Sequence, residues 1–459
     1  MTLTHKKPFL ESIGKRPFLE GYAPPAFLTH EEKTRKLMIP DDIRPQAMYI
    51  AGNPGYGKSS LIQNLVISDM RAGYGVCVID PSGDLIRKRD ASDAIIDWIP
   101  ENRLDDVIYF NTSDSVKSFD FFSYHDDDER RVLIDELTAI FKLENAPRAK
   151  PLLKKIIGIL FAANRNGGTY TFLDIQTFIE NEAKQREILR RAKIEWHVPK
   201  PIEFDAITTR LIPFTEDPVL KVIVASEKPE INIWDIMQNN KILLVDLQDT
   251  ETDHFIGALI TAQIQQATFR RRILRKEDRK LFFLYVDEFH AITPSGGEHF
   301  ATILTRARKY NLCLTFANPL PDDLPAEIMR KLPSVAVKIL FNLNASNASV
   351  FKDQLVPYVS MEGELQEPET FNYLNSLRKF TAVCVQPHQY PTLVTTPRFL
   401  PPNPASCAHR LLKRPPGDAA DAGGHDVMDS KDDAPGAATG DADMGVKDLL
   451  PYKHQEESP

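Results

Sequence analysis

Nine consecutive residues carry the sharpest chemical signal in the chain: Gly52-Asn53-Pro54-Gly55-Tyr56-Gly57-Lys58-Ser59-Ser60. The spacing is that of the Walker A loop, G-x-x-x-x-G-K-S, and each residue type in it has a physical task. Glycines let the backbone wrap around phosphates, so that its N–H groups point inward with a helix N-terminus behind them. Lys58 sets a point charge on the β- and γ-phosphates of ATP. The Ser59 hydroxyl is a hard oxygen ligand suited to Mg2+. The loop also stands where such a loop must stand, after an apolar run (Ala47-Met48-Tyr49-Ile50-Ala51) and before residues at helical spacing.

A phosphate loop needs a carboxylate at the end of a neighbouring strand. The run Leu281-Phe282-Phe283-Leu284-Tyr285-Val286 followed by Asp287-Glu288 supplies one. Asp287 is expected to hold Mg2+ directly or through water, and Glu288 to polarise the water that attacks the γ-phosphate. Two acids that cap the next helix are the plainer alternative. Arg306 and Arg308 follow on a helix-like stretch, where a basic face is usually only solvated. In oligomeric ATPases an arginine here enters the neighbour's site and stabilises transition-state charge; Arg306 is the preferred candidate. Asp80-Pro81-Ser82-Gly83-Asp84 closes another strand, and two readings stay open: a turn, or carboxylates near the phosphates.

Several elements must position these residues. Continuous apolar runs at 75–80, 107–110, 241–247, 281–286, 312–316, 335–340 and 381–385 read as strands buried on both faces. With a helix over 59–71 between the run at 47–51 and that at 75–80, they predict a mostly parallel α/β sheet. From about 126 to 238 the strands stop. Helices are expected over 130–143, 151–164, 172–192 and near 206 and 218, then a long one over about 255–275 after the sheet resumes. The resulting division is an N-terminal arm (1–44), an α/β P-loop domain (45–125 and 239–400), an all-helical insertion (126–238) and an acidic tail (401–459), disordered over 415–459. The echo Lys7-Pro8-Phe9-Leu10-Glu11 and Arg16-Pro17-Phe18-Leu19-Glu20 reads as an arm packing two Phe-Leu pairs on the body.

Composition narrows the class. With 459 residues and 42% hydrophobic residues, the chain is long enough for up to about three units and is neither fibrous nor wholly disordered. No apolar run approaches the ~18 residues of a membrane helix, and no secretory signal is visible at the start. Cys77, Cys313, Cys384 and Cys407 show no paired spacing, which fits a reducing cytoplasm. The net charge of -8 lies wholly in 417–459, where nine Asp and two Glu face three Lys. The neutral body advertises no nucleic-acid binding by bulk charge, so any such contact falls to local clusters. Those clusters are Arg270, Arg271, Arg272, Arg275, Lys276, Arg279 and Lys280; Arg148, Lys150, Lys154 and Lys155; and Arg190, Arg191 and Lys193.

With these residues in place, the chain resembles the FtsK/HerA superfamily of DNA-pumping ATPases, and more closely the TraG/TraD group, the coupling proteins of conjugative type IV secretion. Four stretches carry the likeness: residues 52–60, Val78-Ile79-Asp80-Pro81-Ser82-Gly83-Asp84, Val286-Asp287-Glu288-Phe289-His290, and Leu304-Thr305-Arg306-Ala307-Arg308-Lys309-Tyr310-Asn311-Leu312. It covers roughly 45–395. The resemblance implies a RecA-like motor core, a homohexameric ring with ATP sites between subunits, and DNA, single- or double-stranded, passing through the centre. It also implies a helical domain that docks a relaxase or other secretion partner at the cytoplasmic face. Such proteins usually carry N-terminal membrane helices and none is visible in this sequence, so two expectations stay open: a soluble variant, or anchoring by a separate protein. They also tend to place a γ-phosphate-sensing Gln after the arginine finger; this strand ends Phe316-Ala317-Asn318-Pro319, leaving Asn318 with a shorter reach. The expected function is therefore ATP-driven DNA translocation. A genome-packaging or repair pump and a nucleotide-binding oligomeric scaffold without turnover are the rivals.

Overall fold

The apolar runs form the centre of one eleven-stranded sheet. In chain order its strands are β1 (Glu20–Tyr22), β2 (Arg35–Lys36), β3 (Met48–Ala51), β4 (Gly75–Asp80), β5 (Val107–Asn111), β6 (Ile242–Asp246), β7 (Phe282–Val286), β8 (Leu312–Asn318), β9 (Val337–Leu340), β10 (Thr381–Val385) and β11 (Thr392–Thr395). The computed structural model describes residues 20–22, 35–36, 39, 42–87, 94–120, 127–355 apart from 227, 353 and scattered positions between 128 and 145, and then 374–387, 391–396 and 406–412. Most of the expected acidic tail, most of the N-terminal arm and half of the helix expected over 130–143 lie outside these residues.

Seven strands run parallel in the order β9-β3-β8-β7-β4-β6-β5. Every residue of β3, β4, β6, β7, β8 and β9 is buried, which explains the unbroken apolar runs. One face of the sheet packs on the P-loop helix, Lys58–Arg71, through Leu61, Leu65 and Ile62. The other packs on helices Glu251–Arg270 and Phe289–Arg306, with Ile256, Ile260, Phe289 and Phe300 in the same core. Beyond β9 the sheet turns antiparallel through β10, β11, β1 and β2. The hairpin strand β11 and the short outer strands carry no long apolar run, and sequence patterning misses them.

Between β5 and β6 the chain is helical: Ala149–Arg165, Asp174–Glu180, Glu182–Ala192, Asp205–Glu216, Pro218–Ala225 and Ile233–Gln238. The first of these buries Leu153, Ile156, Ile157, Leu160 and Phe161, a helical stripe. Phe172 and Phe214 meet at 4.7 Å, and Phe214 meets Phe255 of the long helix at 5.0 Å, so the block shares a core with the sheet-packing helix. The single helix expected over 172–192 is two. Asn181 interrupts it because its side chain accepts from the Ala183 and Lys184 amides and caps a new helix. The long helix starts earlier than expected, at a capping box of Thr250 and Asp253, and ends at Arg270. There Arg271 turns inward, fully buried, and donates to the carbonyls of Met237, Lys280 and Tyr310. Arg279 similarly donates to the Leu274 and Lys309 carbonyls. Two members of that basic cluster thus spend their guanidinium groups on backbone carbonyls and hold the chain together. Among the described residues no helix is long and apolar enough to cross a membrane.

Candidate functional site

The phosphate loop leaves β3 at Ala51 and is slung between the ends of its two neighbours. Gly52 donates its amide to Pro319 O beyond β8 (3.2 Å), and Asn53 donates to Asn342 O beyond β9 (2.9 Å). A second bond joins the Asn53 and Asn342 side chains at 2.9 Å. Two glycines are required by shape. A Cβ on Gly52 would lie 2.4 Å from the Phe341 Cβ. Gly57 has φ 113°, and a Cβ there would meet the Phe380 ring at 2.9 Å. The helix then opens at Lys58 with no side-chain cap, so its first N–H groups and its positive dipole end face the loop, as an anion site requires.

Lys58 is 5% exposed and spans the loop to donate to Gly52 O at 2.9 Å. Burial lowers its pKa, opposed by the nearby charges of Asp287 and Glu288. The Ser59 hydroxyl donates to Asp287 Oδ2 at 2.9 Å. A serine from the loop and an acid 228 residues later therefore meet across the sheet edge. Asp287 N bonds Ile79 O at 3.3 Å, and the Glu288 amide donates to Asp287 Oδ1 at 3.0 Å. Burial pushes the Asp287 carboxyl up, against the pull of Ser59 and Lys58. Glu288 takes a left-handed backbone (φ 42°, ψ 50°), a conformation costing roughly 1–3 kcal/mol for a non-glycine and concentrated at functional sites. Its carboxyl is also pushed up, first by burial and then by Asp287.

Asn318 ends β8, fully buried. Its Oδ1 accepts from the His290 amide (3.2 Å) and lies 2.8 Å from His290 Nδ1, while its Nδ2 donates to Leu320 O. The amide is thus engaged within the protein. Arg306 and Arg308 are exposed and stand elsewhere. The helix Phe289–Arg306 begins beside Glu288 and, at 18 residues, is about 27 Å long. It delivers both arginines to the edge where β8 begins, opposite the edge that carries Lys58. Within one chain they do not reach the loop.

The Asp80 segment is a turn. The fully buried carboxylate accepts from the amides of Gly83 (3.1 Å), Leu85 (2.7 Å) and Ile86 (2.9 Å) and from the Ser82 hydroxyl (3.1 Å). Burial pushes its pKa up to about 7. Asp84 is the exposed acid of this turn and acts on Asp287 through its charge. Beside Asp80 in the register, Asp246 accepts from Tyr109 Oη at 2.6 Å, and burial pushes its pKa up to about 6. A raised carboxyl favours the fold in its protonated form. Its contribution is complete below the ordinary carboxylate pKa near 4 and is lost as pH rises through about 6. Asp246→Asn retains an acceptor for Tyr109 without the charge. The variant should match the parent near pH 4 and exceed it by ~1–3 kcal/mol at pH 8, read by urea unfolding. A difference that does not change with pH would rule out this cause.

The residues that sequence reasoning overlooked here are His290, Asn342 and Phe380. Phe380 presses on Gly57 and donates its amide to Tyr56 O at 2.9 Å from a left-handed backbone (φ 64°). Only His290 had a local signal, its place in the first turn after Glu288. The others come from far along the chain. As a whole the site fits a nucleotide and Mg2+: a glycine-rich loop ending in an uncapped helix N-terminus, one buried lysine, and a hydroxyl and carboxylate close enough to share a hard cation with phosphate oxygens. Among the described residues no cluster of three or more His, Cys, Asp or Glu could hold a metal by itself.

No protein-family model matches this sequence, and no curated protein does so either. Solved structures do. The plasmid coupling protein TrwB in complex with the non-hydrolysable ATP analogue ADPNP has a TM-score of 0.59 at 16% identity, covering 86% of this chain and 99% of that one. Its complex with ADP and Mg2+ gives 0.59, 16%, 86% and 98%. VirB4 of Thermoanaerobacter pseudethanolicus gives 0.53 at 16% identity, covering 84% and 96%. The chain shares the fold of these proteins over most of its length.

Proposed function

We propose that this protein is an ATP-hydrolysing motor of the conjugative coupling type that moves DNA. One observation carries the reading: the 2.9 Å bond from Ser59 Oγ to Asp287 Oδ2, with Lys58 and Glu288 close enough to Asp287 for their charges to interact with it. Binding and hydrolysis require these four groups at one place, and a loop that only resembled Walker A by chance would not find its acid. In this reading Lys58 and the loop amides from Gly55 to Ser60 grip ATP, while the Gly52 and Asn53 amides anchor the loop to the neighbouring strand ends. Ser59 and Asp287 are the ligands for Mg2+, which when bound neutralises phosphate charge. Glu288 orients and deprotonates the attacking water. Arg306 or Arg308, on the opposite sheet edge, completes the neighbour's site in a ring, here taken as a homohexamer. The helical block at 126–238 is the docking module for a relaxase or channel partner, and the P-loop domain of 45–125 and 239–400 is the RecA-like engine. Fold likeness to a conjugative coupling protein and to VirB4 supports the class of process.

The test is ATP turnover by the purified full chain with Mg2+, with and without single- or double-stranded DNA. Turnover that rises with DNA is the expected result. Nucleotide binding without turnover would replace the motor by a scaffold, and turnover indifferent to every DNA form would remove DNA as the substrate.

A further inference from the structure

We infer that His290 is a positioning residue for Glu288, tying the hydrolytic acid to the phosphate loop through the end of β8. The inference rests on the proposed role of Glu288 and adds a part to that site. Its ground is a chain of contacts. Gly52, the first loop glycine, bonds Pro319 O, and the preceding residue Asn318 accepts from His290 at both the backbone amide and the ring. His290 Nδ1 in turn stands 3.5 Å from Glu288 Oε2.

The tautomer follows from Asn318. Its Nδ2 donates to Leu320 O, so the atom facing His290 is an oxygen that only accepts. Nδ1 must therefore carry the proton. That proton meets the amide oxygen at 2.8 Å, a full hydrogen bond, and the carboxylate at 3.5 Å, beyond one. Glu288 is thus attracted to the ring without being captured by it, and a shift of less than 1 Å transfers the bond. Backbone strain at Glu288 needs an outside constraint to persist, and the pinned His290 amide two residues later provides one. The end of β8 thereby sets where Glu288 stands relative to the phosphate loop. Simple helix capping would require only the backbone bond. The ring's approach to both partners is the feature that capping leaves unexplained.

The experiment compares His290→Ala, His290→Asn and Glu288→Gln in the full chain. It measures kcat, KM and the Kd of a fluorescent ATP analogue, with melting temperature as the control for folding. His290→Ala should lower kcat about 10- to 100-fold, the scale of a reacting group misplaced by an ångström, with the analogue Kd within about two-fold. An asparagine amide at 290 can donate to Asn318 Oδ1 from nearly the same place, so His290→Asn should recover most of the rate. Added to Glu288→Gln, His290→Ala should cost nothing more, because the two act as a unit. Wild-type kcat in His290→Ala overturns the inference, as does a loss shared equally by kcat, Kd and melting temperature. Wild-type turnover in Glu288→Gln instead defeats the assignment of the base, a separate failure visible in the same set.

Discussion

Lys58→Ala is expected to reduce kcat/KM for ATP by about 10³-fold or more and to weaken nucleotide binding measurably by titration calorimetry. The magnitude follows from the setting. Lys58 is 5% exposed, and its ammonium is held at the mouth of the loop by Gly52 O. A charge in this water-poor position acts on a polyphosphate far more strongly than a surface lysine would. Its loss also leaves Asp287 and Glu288 facing the incoming phosphates with less compensation, since the charge of Lys58 acts on both. The substitution therefore removes an attraction and unmasks a repulsion. Stability should not fall, because burial already works against the lysine's charge, lowering its pKa. A variant that melts like the parent but turns over ATP at the parent rate would show that phosphates do not bind here.

That Lys58 could be singled out from sequence reflects how local a phosphate loop is. Nine adjacent residues encode the turn, the charge and the helix start, and glycine is demanded by contacts such as that of Gly52 with Phe341. The central strands were equally plain, because a strand with both faces covered has no polar positions to break its pattern. Asp287-Glu288 was legible as the end of such a strand. What brings Ser59 to Asp287 is the strand order β3-β8-β7, and no local pattern encodes that order. The same limit hid Phe380 and Asn342, which brace the loop from strands on its far side. The two readings of Asp80 could be separated only by seeing four donors converge on its carboxylate. The basic cluster at 270–280 stayed ambiguous for the opposite reason. Charge is visible in sequence, but the carbonyls that consume Arg271 come from 237, 280 and 310. The break at Asn181 was readable in principle, since a side chain that caps a helix also ends the one before it.

Glu288→Gln should separate binding from chemistry. Glutamine has the size and shape of the native side chain and no basic oxygen, so ATP should bind as before while kcat falls about 10²- to 10⁴-fold, the usual share of a positioned general base. Burial and the Asp287 charge both push the Glu288 carboxyl up, which makes it a better proton acceptor than a solvated glutamate. The sign of the pH effect follows. A base with a raised pKa is protonated at a higher pH than usual, so kcat for the parent should decline on the acid side of neutrality. Asp287 lies beside it and is also raised, so the decline belongs to the pair and not to one residue. In Glu288→Gln the residual rate should lose most of that acid limb, leaving what Asp287 contributes through binding. A variant with parent kcat, or one whose small residual rate keeps the full acid limb, would mean that the attacking water is activated elsewhere. The left-handed backbone at Glu288 would then have to be explained by helix geometry alone, although a glycine would meet that geometry without strain. A costly conformation kept at the one position where a carboxylate must face the loop is what a catalytic placement produces, and the rate of this variant decides it.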